Sequence, residues 1–352
     1  MTADFLLYGS TGYVGRAIAE LAVERGLRPV LGGRRAEAVR HQAAELGLDF
    51  VVASAGDAAS LEAAMGDVPL VLSCAGPFVH TVEPLVEACL GTNTHYLDIS
   101  GEPPVYDAVA ARHEQAEAAS VMLLPSVGFD VVATDCLAGH LMARLPNATR
   151  LTLALHQEGP ADLPPGTLRT VIEMAPYGSS KQHRVGGEVV SAKRRMTRLI
   201  DFGDGPVEAS MITWGDVFTA YVSTGVPNIA DYTVMSPELS RQLDLLDRVR
   251  PLLRWGPVRN AAKKTLRGGA TSEERAQTTM AVWGEVIDTT GEKAVSRLFG
   301  PEGGLEWTSR AALDVVGHAL AGEVKPGFQT PATAYGPDLV LEAEGVTRED
   351  VE

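Results

Sequence analysis

A doubly wound parallel α/β sheet, followed by a second domain of mixed α/β character, is the fold class that this chain predicts. Three observations carry the prediction. Short apolar runs alternate with helix-period stretches through the first third of the sequence. A glycine-spaced turn separates the first such run from the first helix. After about Pro125 the texture changes to β-like segments punctuated by turns. Alternation of strand and helix patterns at this spacing is the mark of βαβ units and a parallel sheet.

The elements follow in order. Phe5–Tyr8 is a short apolar strand, and a helical pattern runs from Tyr13 to Arg25, with Val14, Ile18, Leu21 and Ala22 on one stripe. Gly26 ends it, and Pro29–Gly32 resumes extended structure. Helix Ala36–Leu46 then leads to strand Phe50–Val52, helix Ser60–Met65 to strand Leu70–Leu72, and helix Val82–Leu90 to strand Tyr96–Asp98. A helix over Val105–Ala119 precedes strand Val121–Leu124. Beyond it, turn-rich Gly159–Gly166 and a hairpin at Gly203–Pro206 separate β segments Arg150–Leu155 and Val207–Thr213. Helices cover Ser236–Leu253 and Asn260–Leu266, strands cover Thr279–Asp288 and Lys293–Leu298, and helix Ser309–Ala321 leads into a Gly/Pro-punctuated tail. Residues 1–127 read as a nucleotide-binding domain and 128–308 as a substrate domain. Residues 309–352 read as a helix and tail returning to the first domain.

Composition removes several function classes. The 352 residues include 30 Lys and Arg against 45 Asp and Glu, a net charge of −15, which is ill-suited to a phosphate backbone and speaks against nucleic-acid binding. Three cysteines without a CxxC pair argue against a disulfide framework and a structural zinc site. The histidines show no HxxxH spacing, so no metal is expected. No apolar stretch nears the roughly 18 residues of a membrane span, and the N-terminus lacks the basic start of a secretory signal. A reduced, cytoplasmic protein is the expectation.

The sharpest chemical signal is Gly9-Ser10-Thr11-Gly12-Tyr13-Val14-Gly15, set between a strand and a helix. Gly9 permits the tight turn, Gly12 lets backbone approach a pyrophosphate, and Gly15 allows helix to lie close on strand. The helix N-terminus offers unpaired N–H groups to the phosphates. A plain strand-to-helix turn would use the same glycines for shape alone. The second strand decides the nucleotide. It ends Leu31-Gly32-Gly33-Arg34-Arg35, with no acid to hold ribose hydroxyls, whereas a guanidinium would pair with a 2′-phosphate. The expected cofactor is NADP.

Further residues carry a resemblance. Tyr8–Gly15, Gly33-Arg34, Cys74-Ala75-Gly76-Pro77-Phe78 and His95–Glu102 are joined by Gly128-Phe129-Asp130, Thr134-Asp135-Cys136, Gly166-Thr167, Trp214-Gly215-Asp216, Thr224–Ile229 and Pro326–Pro331. With these the chain resembles the saccharopine dehydrogenase-like oxidoreductases, a family that includes the trans-acting enoyl reductases of bacterial lipid biosynthesis. The resemblance runs over nearly the whole chain, specifically to about residue 135 and more loosely after it. It implies a nicotinamide-dependent reductase with a Rossmann domain, and it does not imply saccharopine as substrate. Val131–Thr134 departs from the proline and serine common there, which removes any polar role from Ala133.

Ligands of open α/β sheets lie outside the carboxyl ends of the strands. Cys74–Phe78 should therefore pass beside the cofactor, with Phe78 against the nicotinamide or simply over the core edge. Cys74 reads as a small buried residue rather than a nucleophile. A reductase needs a proton donor beside its hydride donor, and Tyr96, Asp98, Glu102 and Asp130 are the candidates for lining the pocket. Asp98 and Glu102 read equally as caps or ion-pair partners near the Gly101 turn.

Other signals are weaker. Tyr177–Lys181 has YxxxK spacing, but Pro176 and Gly178 break the helix it needs. Asp201-Phe202-Gly203 lacks the companion motifs of a kinase. Two basic clusters, Lys193–Arg195 with Arg198 and Arg259, Lys263, Arg267, are solvated charge or a docking surface for a carrier or coenzyme A thioester. The reading is an NADPH-dependent reductase of an activated double bond, with the C=C of an enoyl thioester or a related lipid or polyketide intermediate foremost. A saccharopine-type imine or ketone reductase is the alternative, with Arg169 and Arg184 as its carboxylate-binding candidates. From another class comes a non-catalytic NADP-binding sensor or scaffold. The expected partner is a small-molecule substrate, carrier- or CoA-bound in the sharper form, and a homodimer is one admissible assembly.

Overall fold

A computed structural model describes residues 3–158, 172–265, 278–301 and 303–351. The turn-rich segment 159–166 and the residues Arg169 and Arg267 lie outside the described residues, as does the Lys263 side chain. The chain forms two units, one of residues 1–132 with 305–334 and the other of residues 133–304 with 335–352. Helix Gly304–Leu320 and the segment to Ala334 thus go with the first unit, and the last eighteen or so residues go with the second.

The first unit is built on a seven-stranded sheet. Its strands are β1 (Leu6–Tyr8), β2 (Val30–Gly33), β3 (Phe50–Val52), β4 (Leu70–Ser73), β5 (His95–Asp98), β6 (Met122–Leu124) and a two-residue strand, Gly327–Phe328. Across the sheet the order is Gly327–Phe328, β6, β5, β4, β1, β2, β3, and every pairing is parallel. The chain moves one way from β1 through β3 and the other way from β4, so the switch point lies between β1 and β4. Crevices at that point are where doubly wound sheets bind ligands. Central strands are covered on both faces, which explains why β1 and β4 read as unbroken apolar runs. Leu6, Leu7, Leu70 and Leu72 are fully buried, each contributing roughly 1.5–3 kcal/mol.

The helices of this unit are α1 (Tyr13–Glu24), α2 (Ala36–Leu46), α3 (Ala58–Met65), α4 (Val82–Thr92), α5 (Pro103–Ala110), α6 (His113–Ala118) and the start of α7 (Phe129–Arg144). In α1 the buried stripe is Gly15, Ile18, Ala19 and Ala22, rotated from the expected Val14–Leu21 stripe because Gly15 must face the turn before it. The helix expected over Val105–Ala119 is two helices. Arg112 leaves helical dihedrals between them (φ −106°, ψ 10°), with its guanidinium on the Ala108 carbonyl at 2.8 Å and on Glu87 at 2.6 Å. Helix α7 begins at Phe129, which places Asp130 in its first turn.

The second unit has a mixed sheet. Its path runs Thr197–Asp201, Pro206–Ile212, Asn228–Thr233, Arg150–Glu158, Thr279–Ile287, Lys293–Phe299 and Thr347–Asp350. Among the described residues of this sheet, only Asn228–Thr233 and Arg150–Leu155 pair in parallel. Leu137 and Leu141 of α7 cover one face at Gly284, where a Cβ would stand 2.6 Å from Leu141 Cδ1. The other face gathers Ala154, Ile200, Phe202, Ala209, Met211, Tyr232 and Trp283. The Gly203–Pro206 turn closes an antiparallel pair as expected, with Asp201 Oδ1 accepting from the Gly203 and Gly205 N–H groups. A second hairpin, Gln182–Val185 with Glu188–Ser191, turns at Gly186-Gly187, both at positive φ (58° and 89°). Two glycines between β-like runs are a hairpin signal in the sequence itself. Among the described residues no helix is long and apolar enough to cross a membrane.

Candidate cofactor-binding site

The glycine loop stands where β1 meets the switch point. Gly9 has φ +85°, open to glycine at no steric cost, and its N–H donates to the Gly32 carbonyl at 2.8 Å. A Cβ on Gly9 would lie 2.8 Å from Ala75 N, and one on Gly15 would lie 2.5 Å from the Gly9 carbonyl oxygen. Both positions therefore exclude a side chain. Helix α1 starts with Gly12 as its N-cap, without a capping side chain and without an acid in its first turn. Its N-terminal dipole is thus left to an external anion.

The loop is held from beneath by Gln42, a fully buried residue of α2 whose Nε2 donates to the Ser10 carbonyl at 3.0 Å. Gln42 Oε1 and Ser10 Oγ have no protein partner. Nothing in the motif names Gln42. Its signal was a polar residue on the buried stripe of α2, beside Val39 and Ala43.

The two arginines after β2 divide the work. Arg35 donates to Thr11 Oγ1 at 2.9 Å and so ties the strand end to the glycine loop. Arg34 is exposed and makes no hydrogen bond or ion pair among the described residues; burial raises the nearby Tyr8 hydroxyl, and the Arg34 charge opposes that rise. The donor set fits a phosphorylated dinucleotide: a side-chain-free cradle, an uncapped helix N-terminus and one available guanidinium.

Cys74–Phe78 continues from β4 beside Gly9. The Cys74 N–H donates to the Tyr8 carbonyl at 2.7 Å, and Thr81 Oγ1 donates to the Ala75 carbonyl at 2.9 Å. Burial, and next the nearby Asp98, push the Cys74 thiol up, so it is no thiolate at neutral pH. Phe78 lies partly against the core of the unit. Its backbone N–H and that of Val79 donate to Glu102 Oε1 and Oε2, at 2.9 and 2.7 Å. Glu102 is almost fully buried, and burial raises its carboxyl while the two N–H groups lower it.

Tyr96 and Asp98 share one face of β5 as the strand period requires, and both are fully buried. The Tyr96 hydroxyl donates to Asp98 Oδ2 at 2.7 Å, and Asp98 Oδ1 accepts from the Ser100 and Ser126 N–H groups, each at 2.8 Å. Ser126, at φ +64°, reaches the Tyr106 hydroxyl at 2.8 Å. Burial raises both Tyr96 and Asp98, with the hydrogen bonds opposing it at Asp98. Asp130 is half-buried, and its carboxylate lies 3.3–3.4 Å from where Cβ atoms on Gly128 and Gly101 would be. The loops after β4, β5 and β6 thus come together around buried carboxylates, while Asp130 alone of the four acidic or phenolic candidates keeps solvent contact.

In the second unit, Tyr177 and Lys181 sit in turns, and Lys181 pairs with Asp244 and Asp247 at 3.2 and 3.1 Å. Arg195, Arg198 and Arg259 are ion-paired to Asp244, Glu285 and Glu173. Arg184 lies over the Tyr221 ring and donates to the Val217 carbonyl.

Residues 5–124 match the family described as the saccharopine dehydrogenase NADP binding domain. A trans-acting enoyl reductase of Mycobacterium leprae is 36% identical over 150 residues, covering 40% of this chain and 36% of that protein. One from Mycobacterium ulcerans is 32% identical over 149 residues, again 40% and 36%. The match thus spans little over a third of those relatives' length. The apo saccharopine dehydrogenase (L-Glu forming) of Saccharomyces cerevisiae shares the fold, at TM-score 0.65 and 12% identity over 99% of this chain and all of that one. Residues 5–124 are thus similar to the saccharopine dehydrogenase NADP binding domain, over about a third of the chain.

Proposed function

We propose that the chain is an NADPH-dependent reductase that saturates the C=C bond of an enoyl thioester or a related lipid or polyketide intermediate, presented on a carrier or coenzyme A. The observation that supports it most is the pairing of an NADP-type edge, with Arg34 available beside the glycine loop, with relatives named as enoyl reductases. Bound NADPH would supply a hydride to one carbon of the double bond, the other carbon taking a proton and the nucleotide leaving as NADP⁺. The chain's own part is to bind and orient. The glycine loop and the α1 N-terminus take the pyrophosphate, Arg34 the 2′-phosphate, and Phe78 borders the reacting end.

Tyr96, Asp98 and Glu102 act as positioning residues in this reading, since their polar atoms are spent on neighbouring loops. Asp130, half-exposed between the Gly101 and Gly128 loops, is the acid that lines the pocket. The test is NADPH oxidation across enoyl, imine and keto substrates, run beside nucleotide titrations of Arg34→Ala. Enoyl turnover and a roughly tenfold or greater loss of NADPH affinity with NADH unchanged are expected, the scale of a charged hydrogen-bond contact. Tight NADPH binding without turnover of any substrate would leave a sensor instead.

A further inference from the structure

We infer that helix Pro237–Leu253 and the Trp255 after it form a docking ridge for an anionic lipid surface. The helix sorts its residues by face. Leu243 and Leu253 are buried, and the acids Asp244 and Asp247 turn inward to Lys181 and Arg195. On the outer side, spacings of four, three, four and three place Arg241, Leu245, Arg248, Leu252 and Trp255 on one stripe, whose first basic residue, Arg241, is ion-paired to the exposed Glu238 at 3.2 Å. Arg254 keeps near-helical dihedrals (φ −62°, ψ −26°), which carries that stripe to Trp255.

Exposure decides what the stripe is. Leu245 is 57% exposed, Leu252 64% and Trp255 68%. Single exposed leucines are ordinary, but three large apolar side chains in one row on a helix are not. Trp283 and Trp307, by contrast, are buried.

Charge names the occupant. In a chain of net charge −15, residues 248–272 contain seven Lys and Arg and no Asp or Glu. Arg248, Arg250 and Arg254 make no ion pair among the described residues. An indole and leucines interleaved with arginines whose stems can lie along the apolar row is the pattern of an interfacial helix. Anionic headgroups attract each basic side chain held near the surface.

The test is flotation of the full chain with vesicles of phosphatidylcholine alone and of an equimolar mixture with phosphatidylglycerol, with tryptophan emission recorded alongside. Binding to the anionic vesicles with a blue shift is expected, weakened by salt. R248E/R254E should lower partition by about tenfold or more, and L252S/W255S should do likewise and abolish the shift. Both pairs are exposed, and an unchanged NADPH titration confirms that each variant is folded. The proposal is overturned by no binding to anionic vesicles, by equal binding to neutral ones, or by indifference to both variants. It is equally overturned if an acidic acyl carrier protein takes the ridge while vesicles do not, or if light scattering shows a dimer that L252S/W255S dissociates.

Discussion

Asp98 and Glu102 in the first unit and Asp231 in the second are buried carboxylates partnered in opposite ways. At the carboxyl edge of the parallel sheet, Asp98 accepts two backbone N–H groups and the Tyr96 hydroxyl, and Glu102 accepts two more from Phe78 and Val79. In the mixed sheet, Asp231 is equally buried, yet neither of its oxygens has a hydrogen-bond partner at good geometry. Burial holds its carboxyl well above the usual range, with the Val217 and Trp214 backbone groups opposing this. The difference shows what the first arrangement achieves. Carboxylates that collect backbone N–H groups fix the loops that supply them, which is how a binding edge becomes preorganised.

The largest expected effect comes from Glu102→Ala, which leaves two loop N–H groups without an acceptor, each worth about 1–3 kcal/mol if it stays dry. The melting temperature and NADPH affinity should fall together, while Glu102→Gln, keeping one acceptor, should lose less. Equal losses in the two variants would mean that charge, not loop anchoring, is the role of Glu102.

Asp231→Asn should act in the other direction. The folded carboxyl ionises at higher pH than the unfolded one, so as pH rises the unfolded state releases its proton first. Stability therefore declines from the ordinary carboxylate range upward until the folded group also ionises. The variant should remove that decline, gaining more in melting temperature at pH 8 than at pH 5. Parallel pH profiles for the two proteins would show that Asp231 is solvated after all, and the contrast between the units would dissolve.

The smallest effect belongs to Gln42→Leu, which removes one donor from the Ser10 carbonyl at similar side-chain volume. A few-fold loss of NADPH affinity is expected, about 1 kcal/mol, with rescue by Gln42→Asn excluded because the shorter side chain cannot span the gap. Isothermal titration of both variants checks it, and an affinity unchanged by Gln42→Leu would make the glutamine mere filling.

Much of the first unit is legible in the sequence. Strand and helix order, the glycine turn and the Arg34-Arg35 pair all depend on neighbours within about twenty residues, and periodicity and spacing report such local relations directly. The errors were local too. Arg112 interrupted a helix through bonds to Glu87 and Ala108 that no periodicity records, and the Gly186-Gly187 hairpin went unrecognised although its turn was in plain view.

Residue types and spacing alone thus predict the sheet and the glycine loop, because the backbone permissiveness that Gly9 and Gly15 supply belongs to glycine. Only the tertiary structure decided that Arg35 is spent on Thr11 while Arg34 is not, that Gln42 reaches back to Ser10, and that Glu102 clamps Phe78 from 24 positions away. Those are choices among partners for a polar side chain. A polar side chain in a dry interior takes whichever donor or acceptor folding brings near, and nothing in its own position along the chain names that partner.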